Sequence, residues 1–430
     1  VGESGAEPGG VLISMKIAIV GAGIIGVTTA YELAADGHAV TVFERCGAVA
    51  EETSFANAGV VAPGYVTPWA APGMPAKVLR YLFSRHAPVK LQWPLSARDL
   101  AWMARWLGAC NPSTYLANRA RMQRLAFYSR ARLHQLTEQL GLDYERSPGY
   151  TVLLRSAKDQ QLVQPGLQVL REAGTRFLEL DNAATRAIEP ALSRDTDFAG
   201  AIHLPDDGVG NCRQFALLLR RQAELLGAQF RFNATVAHVT PGMRPQLVLA
   251  GMPAPEVFDA VVLCAGVASA ALLRPLGLKL PMTAVYGYSI SAPLREPLNA
   301  PRSAVMDERY KVAISRLGMR VRVAGSAEIG GTLAHKRPAA LQTLYKVLHD
   351  WFPGAAQISG GVQEWKGARP MLADGPPLLG ASGLAGIWLN LGHGSSGWAL
   401  GCGSARAVAD MLATRTPEVD LEGLGISRLR

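Results

Sequence analysis

Residues 16–44 read KIAIVGAGIIGVTTAYELAADGHAVTVFE, and the fold follows from them. A short β-branched run, 17–20, is followed by glycines at Gly21, Gly23 and Gly26 in the spacing G-x-G-x-x-G. The pattern then predicts a helix to about Ala35, a break at Gly37, and a second strand over 40–43 that ends at Glu44. This is the order of a βαβ dinucleotide-binding unit. Gly21 allows the tight turn, Gly23 lets a pyrophosphate reach the backbone, and Gly26 lets the helix lie close to the sheet. Ala22, Ile24 and Ile25 complete the loop, where the helix N-terminus offers N–H groups and a positive dipole end to phosphate. Glu44 stands 23 residues after Gly21, where an acid accepts hydrogen bonds from a ribose diol.

Composition sets the outer limits. A chain of 430 residues with 49% hydrophobic and 18% charged residues can bury a large core, which excludes a disordered chain. Its net charge of +9 favours an anionic partner. Five widely spaced cysteines, with no C-x-x-C, indicate neither a disulfide framework nor a zinc cluster, so no metal is expected. Reduced thiols fit a cytoplasmic setting. No apolar run is long enough to span a bilayer. Residues 1–14 are Gly-rich, lack the parts of a signal peptide, and are left out of the fold.

Beyond Glu44, the segment TSFANAG places Thr53, Ser54, Asn57, Ala58 and Gly59 beside the nucleotide crevice. Residues 76–140 read as helical. Between Lys77 and Arg132 they carry eleven Lys or Arg and one acid, Asp99, with Leu79, Leu82, Phe83, Trp93, Trp102 and Trp106 interleaved. That mixture suits an interfacial surface on anionic lipid. It also suits a buried aromatic core with a solvated basic face, and no nucleic-acid motif accompanies it. Residues 150–154 read as a strand, 157–173 as a helix, 185–192 as a turn, and 211–226 as an amphipathic helix. The run DAVVLCAG leads into Ala265 and Gly266, a second strand–glycine–helix junction. Alternation over 282–291, 310–315 and 320–324 predicts an antiparallel sheet. A third junction follows the strand 387–391, with Gly392, His393, Gly394, Ser395, Ser396, Gly397 and Trp398 leading into a helix. Three such junctions fit a long dinucleotide, and FAD better than NAD, since no second G-x-G-x-x-G is present.

The expected fold is α/β: a Rossmann-like FAD-binding domain from residues 15–75, 200–280 and 365–417, and an α+β substrate domain from 76–199 and 281–364 with a helical, basic insert at 76–140. The stretches quoted above, together with ERYKVAISRLGMRVRVAGSAEI and WKGARPMLADGPPLLG, resemble bacterial D-amino acid dehydrogenases of the D-amino acid oxidase superfamily over residues 15–417. The resemblance implies FAD-dependent oxidation of D-amino acids, with hydride transfer to flavin N5. The products are 2-oxo acids and ammonia, and the electrons go to a quinone or other respiratory acceptor. It implies a peripheral place on the inner face of the inner membrane, and no nucleic-acid partner. It assigns Arg369 of G-A-R-P to the substrate carboxylate, Tyr310 to the same end of the substrate, and Arg45 and Val236 to the cofactor. The same motifs would serve an oxidase or dehydrogenase of glycine, sarcosine or D-hydroxyproline. A flavin-binding subunit without turnover is the remaining alternative, against which Arg369 argues.

Overall fold

The computed structural model describes residues 14–81 and 86–429. Leu82 and Phe83 of the basic stretch, and residues 1–13 of the tail, lie outside them. Lys16–Val20 sits near the middle of a six-stranded sheet whose order is Leu378–Ala381, Ile387–Leu391, Ala260–Leu263, Lys16–Val20, Ala39–Phe43, Gln229–Arg231. Every neighbouring pair is parallel except the first. A parallel sheet is covered on both faces, and its strands are then apolar on both sides. Ile17 and Ile19 join a core with the helices Ile24–Ala35, Pro112–Gln139, Cys212–Leu225 and Gly397–Leu412. Ala18 and Val20 join a second core beneath the three-stranded meander of residues 236–257.

Gly37 ends the first helix in the left-handed region, with φ +85°. The helix itself carries Glu32, which is wholly buried. Arg132 grips that carboxylate through Nε and Nη2 at 2.7 Å each, and Arg406 Nη1 donates to it at 2.8 Å. The long helix Pro112–Gln139, expected in the substrate domain, is therefore fastened to the dinucleotide sheet by Arg132 and by Leu125, Leu133 and Leu136.

The second large element is a ten-stranded sheet. It is mixed rather than antiparallel. Ala304–Asp307 runs parallel to Ser147–Leu154, and Val89–Gln92 runs parallel to Arg320–Gly330. Val89–Gln92 also interrupts the expected helical stretch, because V-K-L-Q finds a pairing edge at residues 327–330. Gly200–Val209 and Gln363–Leu372, placed by sequence with the dinucleotide segments, pair into this sheet against Ser147–Leu154 and Met282–Pro293. Residues 182–188, part of which was expected as a turn, form a helix capped by Asp181, whose carboxylate accepts from Ala184 N at 2.8 Å.

Candidate active site

A cavity of about 890 Å³ runs between the two sheets. Its first wall is the glycine loop. At Gly21, φ is +101°, and an added Cβ would stand 2.7 Å from Cys264 O. At Gly26 it would run into the Gly21 carbonyl. At Gly23 it would meet only Ser54 Oγ, at 3.5 Å, so this glycine alone faces open cavity. Gly21, Gly23, Ile24 and Ile25 line the space. Ala22 and Gly26 do not; they shape the turn from behind.

Glu44 lines the cavity at the end of its strand, with Arg45 beside it. Its carboxylate already accepts from Ala22 N at 2.6 Å and Cys46 N at 2.8 Å, which fixes the loop to the second strand. A carboxylate has about four acceptor positions, so capacity for a diol remains. Arg45 is paired with Glu52. Ser54 Oγ accepts from Ile24 N at 3.0 Å and so caps the first helix from a distant loop. Thr53 Oγ1 donates to Ala368 O at 2.6 Å, tying that loop to the second sheet. Asn57, Ala58 and Gly59 also line the cavity, as do Val236, Ala265 and Gly266.

The far end is built by residues 392–398, all of which line the cavity. Gly392 and Gly394 have φ of +80° and +57°, which turns the chain so that the helix Gly397–Leu412 begins at the cavity wall. Trp398 Nε1 donates to Gly59 O at 3.1 Å and locks the two loops together. His393 is buried, and burial pushes its pKa down to about 3, so it is neutral at ordinary pH. Ser404 Oγ donates to Gly401 O at 3.1 Å, leaving its oxygen to accept from His393 Nε2 at 3.0 Å. The ring is thus an anchor for its loop.

Arg369 enters from the ten-stranded sheet and opens onto the cavity. Its guanidinium lies across Gly287, where any Cβ would collide with it. Nη1 donates to Ser326 O at 3.0 Å, Trp69 lies 5.9 Å away, and no carboxylate pairs with it among the described residues. Burial lowers its pKa to about 10, which still leaves it a cation at working pH. The backbone bridge between Met371 and His393 brings this strand against the glycine-rich loop.

Tyr310 is not in this wall. The strand starts at Val312, after Lys311 with φ +52°. That reversal sends Tyr310 to the opposite side, where Arg155 lies 5.0 Å and Lys346 5.6 Å from its ring centre. Lys311 lines the cavity instead. Trp69 and Gly287 fall in stretches, 64–74 and 286–289, where the sequence also leads us to expect pocket lining, whereas Trp365 and Gly367 were missed. The available signal was a lone glycine inside a strand pattern, which marks close approach by something bulky.

The match to the family model described as DAO, FAD dependent oxidoreductase, spans residues 16–411. The chain belongs to this family of FAD-dependent oxidoreductases. It is 44% identical over 416 residues to the D-amino acid dehydrogenase of Cereibacter sphaeroides, covering 96% of this chain and 95% of that one. It is 42% identical over 417 residues to the D-amino acid dehydrogenase of Bradyrhizobium diazoefficiens, covering 96% and 99%. In fold, the oxidoreductase matches glycine oxidase from Geobacillus kaustophilus with a TM-score of 0.73 at 22% identity, over 96% of this chain and 99% of that one. L-proline dehydrogenase from P. horikoshii gives 0.72 at 14% identity, over 97% and 98%. The cofactor of this oxidoreductase is FAD, and the residues fit it. The open face of Gly23 suits a pyrophosphate, the Glu44 carboxylate a ribose diol, and the helix start at Gly397 the electron-rich end of a flavin.

Proposed function

We propose that this oxidoreductase deaminates free D-amino acids oxidatively. The observation that carries the reading is Arg369: a half-buried guanidinium at the cavity wall, held by one carbonyl and free of any protein carboxylate among the described residues. A planar guanidinium binds a carboxylate through two parallel N–H···O bonds, so it fixes both position and angle. Bound FAD supplies the two-electron acceptor. Arg369 orients the substrate by its carboxylate, which turns the encounter into an intramolecular one. The substrate amine enters neutral, since its lone pair must form the C=N bond as the Cα hydride departs. His393 has its Nε2 taken up by Ser404 and its basicity lowered by burial, so its role is to support the loop. Water then adds to the imine, and ammonia leaves with the 2-oxo acid. The segment 392–398 excludes bulk water and offers the N-terminal end of Gly397–Leu412 to developing negative charge.

The electrons go onward to an acceptor other than oxygen, as the relatives' printed name of dehydrogenase supports, and the acceptor we propose is a quinone. The surface fits an anionic membrane. Leu79, Trp93, Leu100 and Leu107 are each more than half exposed, and Arg80, Arg98 and Arg105 are exposed among them. Trp102, also counted with that surface from sequence, is core: it is 2% exposed and donates to Met371 O at 2.8 Å, with Trp106 stacked on it at 6.4 Å. No described helix is long and apolar enough to cross a membrane.

Anaerobic titration tests the reading. D-alanine should bleach the yellow flavin, and a soluble quinone should restore the colour faster than oxygen. Bleaching by sarcosine or L-amino acids, with none by any D-amino acid, would overturn it. Sedimentation with phosphatidylglycerol vesicles should fall for Trp93→Ser; unchanged sedimentation would remove the membrane assignment.

A further inference from the structure

Trp365 and Arg369 lie on one face of the strand Gln363–Leu372, with Gly367 between them. The partner strand Met282–Pro293 sets Ser289 opposite Trp365, Gly287 opposite Gly367, and Val285 opposite Arg369. The two glycines therefore face each other and leave a bare patch on the sheet. Both long side chains fold into it. The guanidinium of Arg369 covers Gly287, and the six-membered ring of Trp365 covers Gly367, each so closely that a Cβ on the glycine would overlap it. Directly opposed Cβ positions are about 5 Å apart, so the indole edge stands within about 10 Å of the guanidinium. Both groups line the cavity.

We infer that Trp365 is the specificity-determining wall that limits the size of the substrate side chain. This rests on the proposed role of Arg369 as the carboxylate anchor. A substrate held by that guanidinium projects its remaining Cα substituents into a space bounded along the sheet by the indole. The indole is large and rigid, and it cannot slide deeper, because the sheet backbone at Gly367 is already against it. It cannot swing toward Arg369 without meeting the ligand. Small side chains fit between the two groups, and aromatic ones meet the ring edge.

The test compares kcat/KM for D-alanine and D-phenylalanine in wild type, Trp365→Ala and Trp365→Phe. The ratio of D-phenylalanine to D-alanine should rise at least tenfold in the alanine variant and by less in the phenylalanine variant, mostly through KM. Flavin absorbance should be unchanged. A ratio within twofold of wild type in both variants overturns the inference. If Trp365→Ala does not hold flavin, the same ratio in Trp365→Phe decides. Should wild type turn over no D-amino acid, the proposed function fails instead, so the two failures are distinguishable.

Discussion

Lys366 and Arg369 stand three residues apart on Gln363–Leu372 and serve opposite sides of the large sheet. On the closed side, Lys366 Nζ is fully employed. It donates to Glu328 Oε1 at 2.6 Å and to the carbonyls of Thr332 and His335 at 2.7 Å each, and lies 4.5 Å from the ring centre of Tyr286. Glu328 in turn accepts from Tyr288 OH at 2.6 Å. On the cavity side, Arg369 has one carbonyl and no carboxylate among the described residues. The ammonium's three donors are spent on the fold, whereas most of the guanidinium's five remain for a ligand. Burial alone does not separate a structural cation from one free to bind; the inventory of its partners does.

The closed side gives the larger expected effect. Lys366→Met would leave Glu328 buried with Arg337 Nε at 3.6 Å, beyond a good hydrogen bond. Removing one partner of a buried pair costs about 3–5 kcal/mol. Urea unfolding should show a loss of that size, and the double variant Lys366→Met with Glu328→Gln should recover part of it. A single variant as stable as wild type would mean that the pair is not buried in solution.

Arg369→Ala should act in the other currency. Two charge-assisted hydrogen bonds, net of their replacement by water, are worth about 3–4 kcal/mol. The value of kcat/KM for D-alanine should therefore fall by about 10²–10³, while the flavin spectrum and the melting temperature stay near wild type. A variant with normal KM would show that the carboxylate binds elsewhere. One that unfolds would show that Arg369 belongs with Lys366.

The same contrast explains what could be read without coordinates. The glycine loop was legible because each of its jobs is local: Gly21, Gly23 and Gly26 act on their own turn, and Glu44 lies one strand away. The position of Arg369 at the cavity was anticipated through G-A-R-P, a short motif, and its neighbour Lys366 passed unnoticed although both are cations in one strand. Trp365 was hidden because its meaning depends on Gly287 lying opposite Gly367, a register between strands far apart in sequence. Tyr310 was carried over by resemblance as the residue opening a strand, but the strand begins two residues later, at Val312. Lys311 adopts a left-handed conformation, so the side-chain rhythm starts only at Val312. The domain boundaries shifted for a related reason: Gly200–Val209 precedes a helix that returns to the dinucleotide sheet, but its own pairing partner lies in the other sheet.

Glu189 extends the comparison to a buried acid with no ion-pair partner among the described residues. It is 2% exposed and accepts from Arg302 N at 2.8 Å, with no ion pair among the described residues. Burial raises its pKa to about 7 from an ordinary 4.5. A raised carboxyl pKa means that the folded state holds its proton more tightly than the unfolded chain. The resulting stability is fully present below about pH 4.5 and drains away as pH rises toward 7. Two and a half pH units correspond to something on the order of 3 kcal/mol at most. Between pH 5 and 8 the wild type should therefore lose about 2 kcal/mol that Glu189→Gln keeps, since the amide preserves the shape and cannot ionise. Parallel pH profiles for the two proteins would show that Arg302 pairs with Glu189 in solution, and the carboxyl would then join Glu328 as half of a pair.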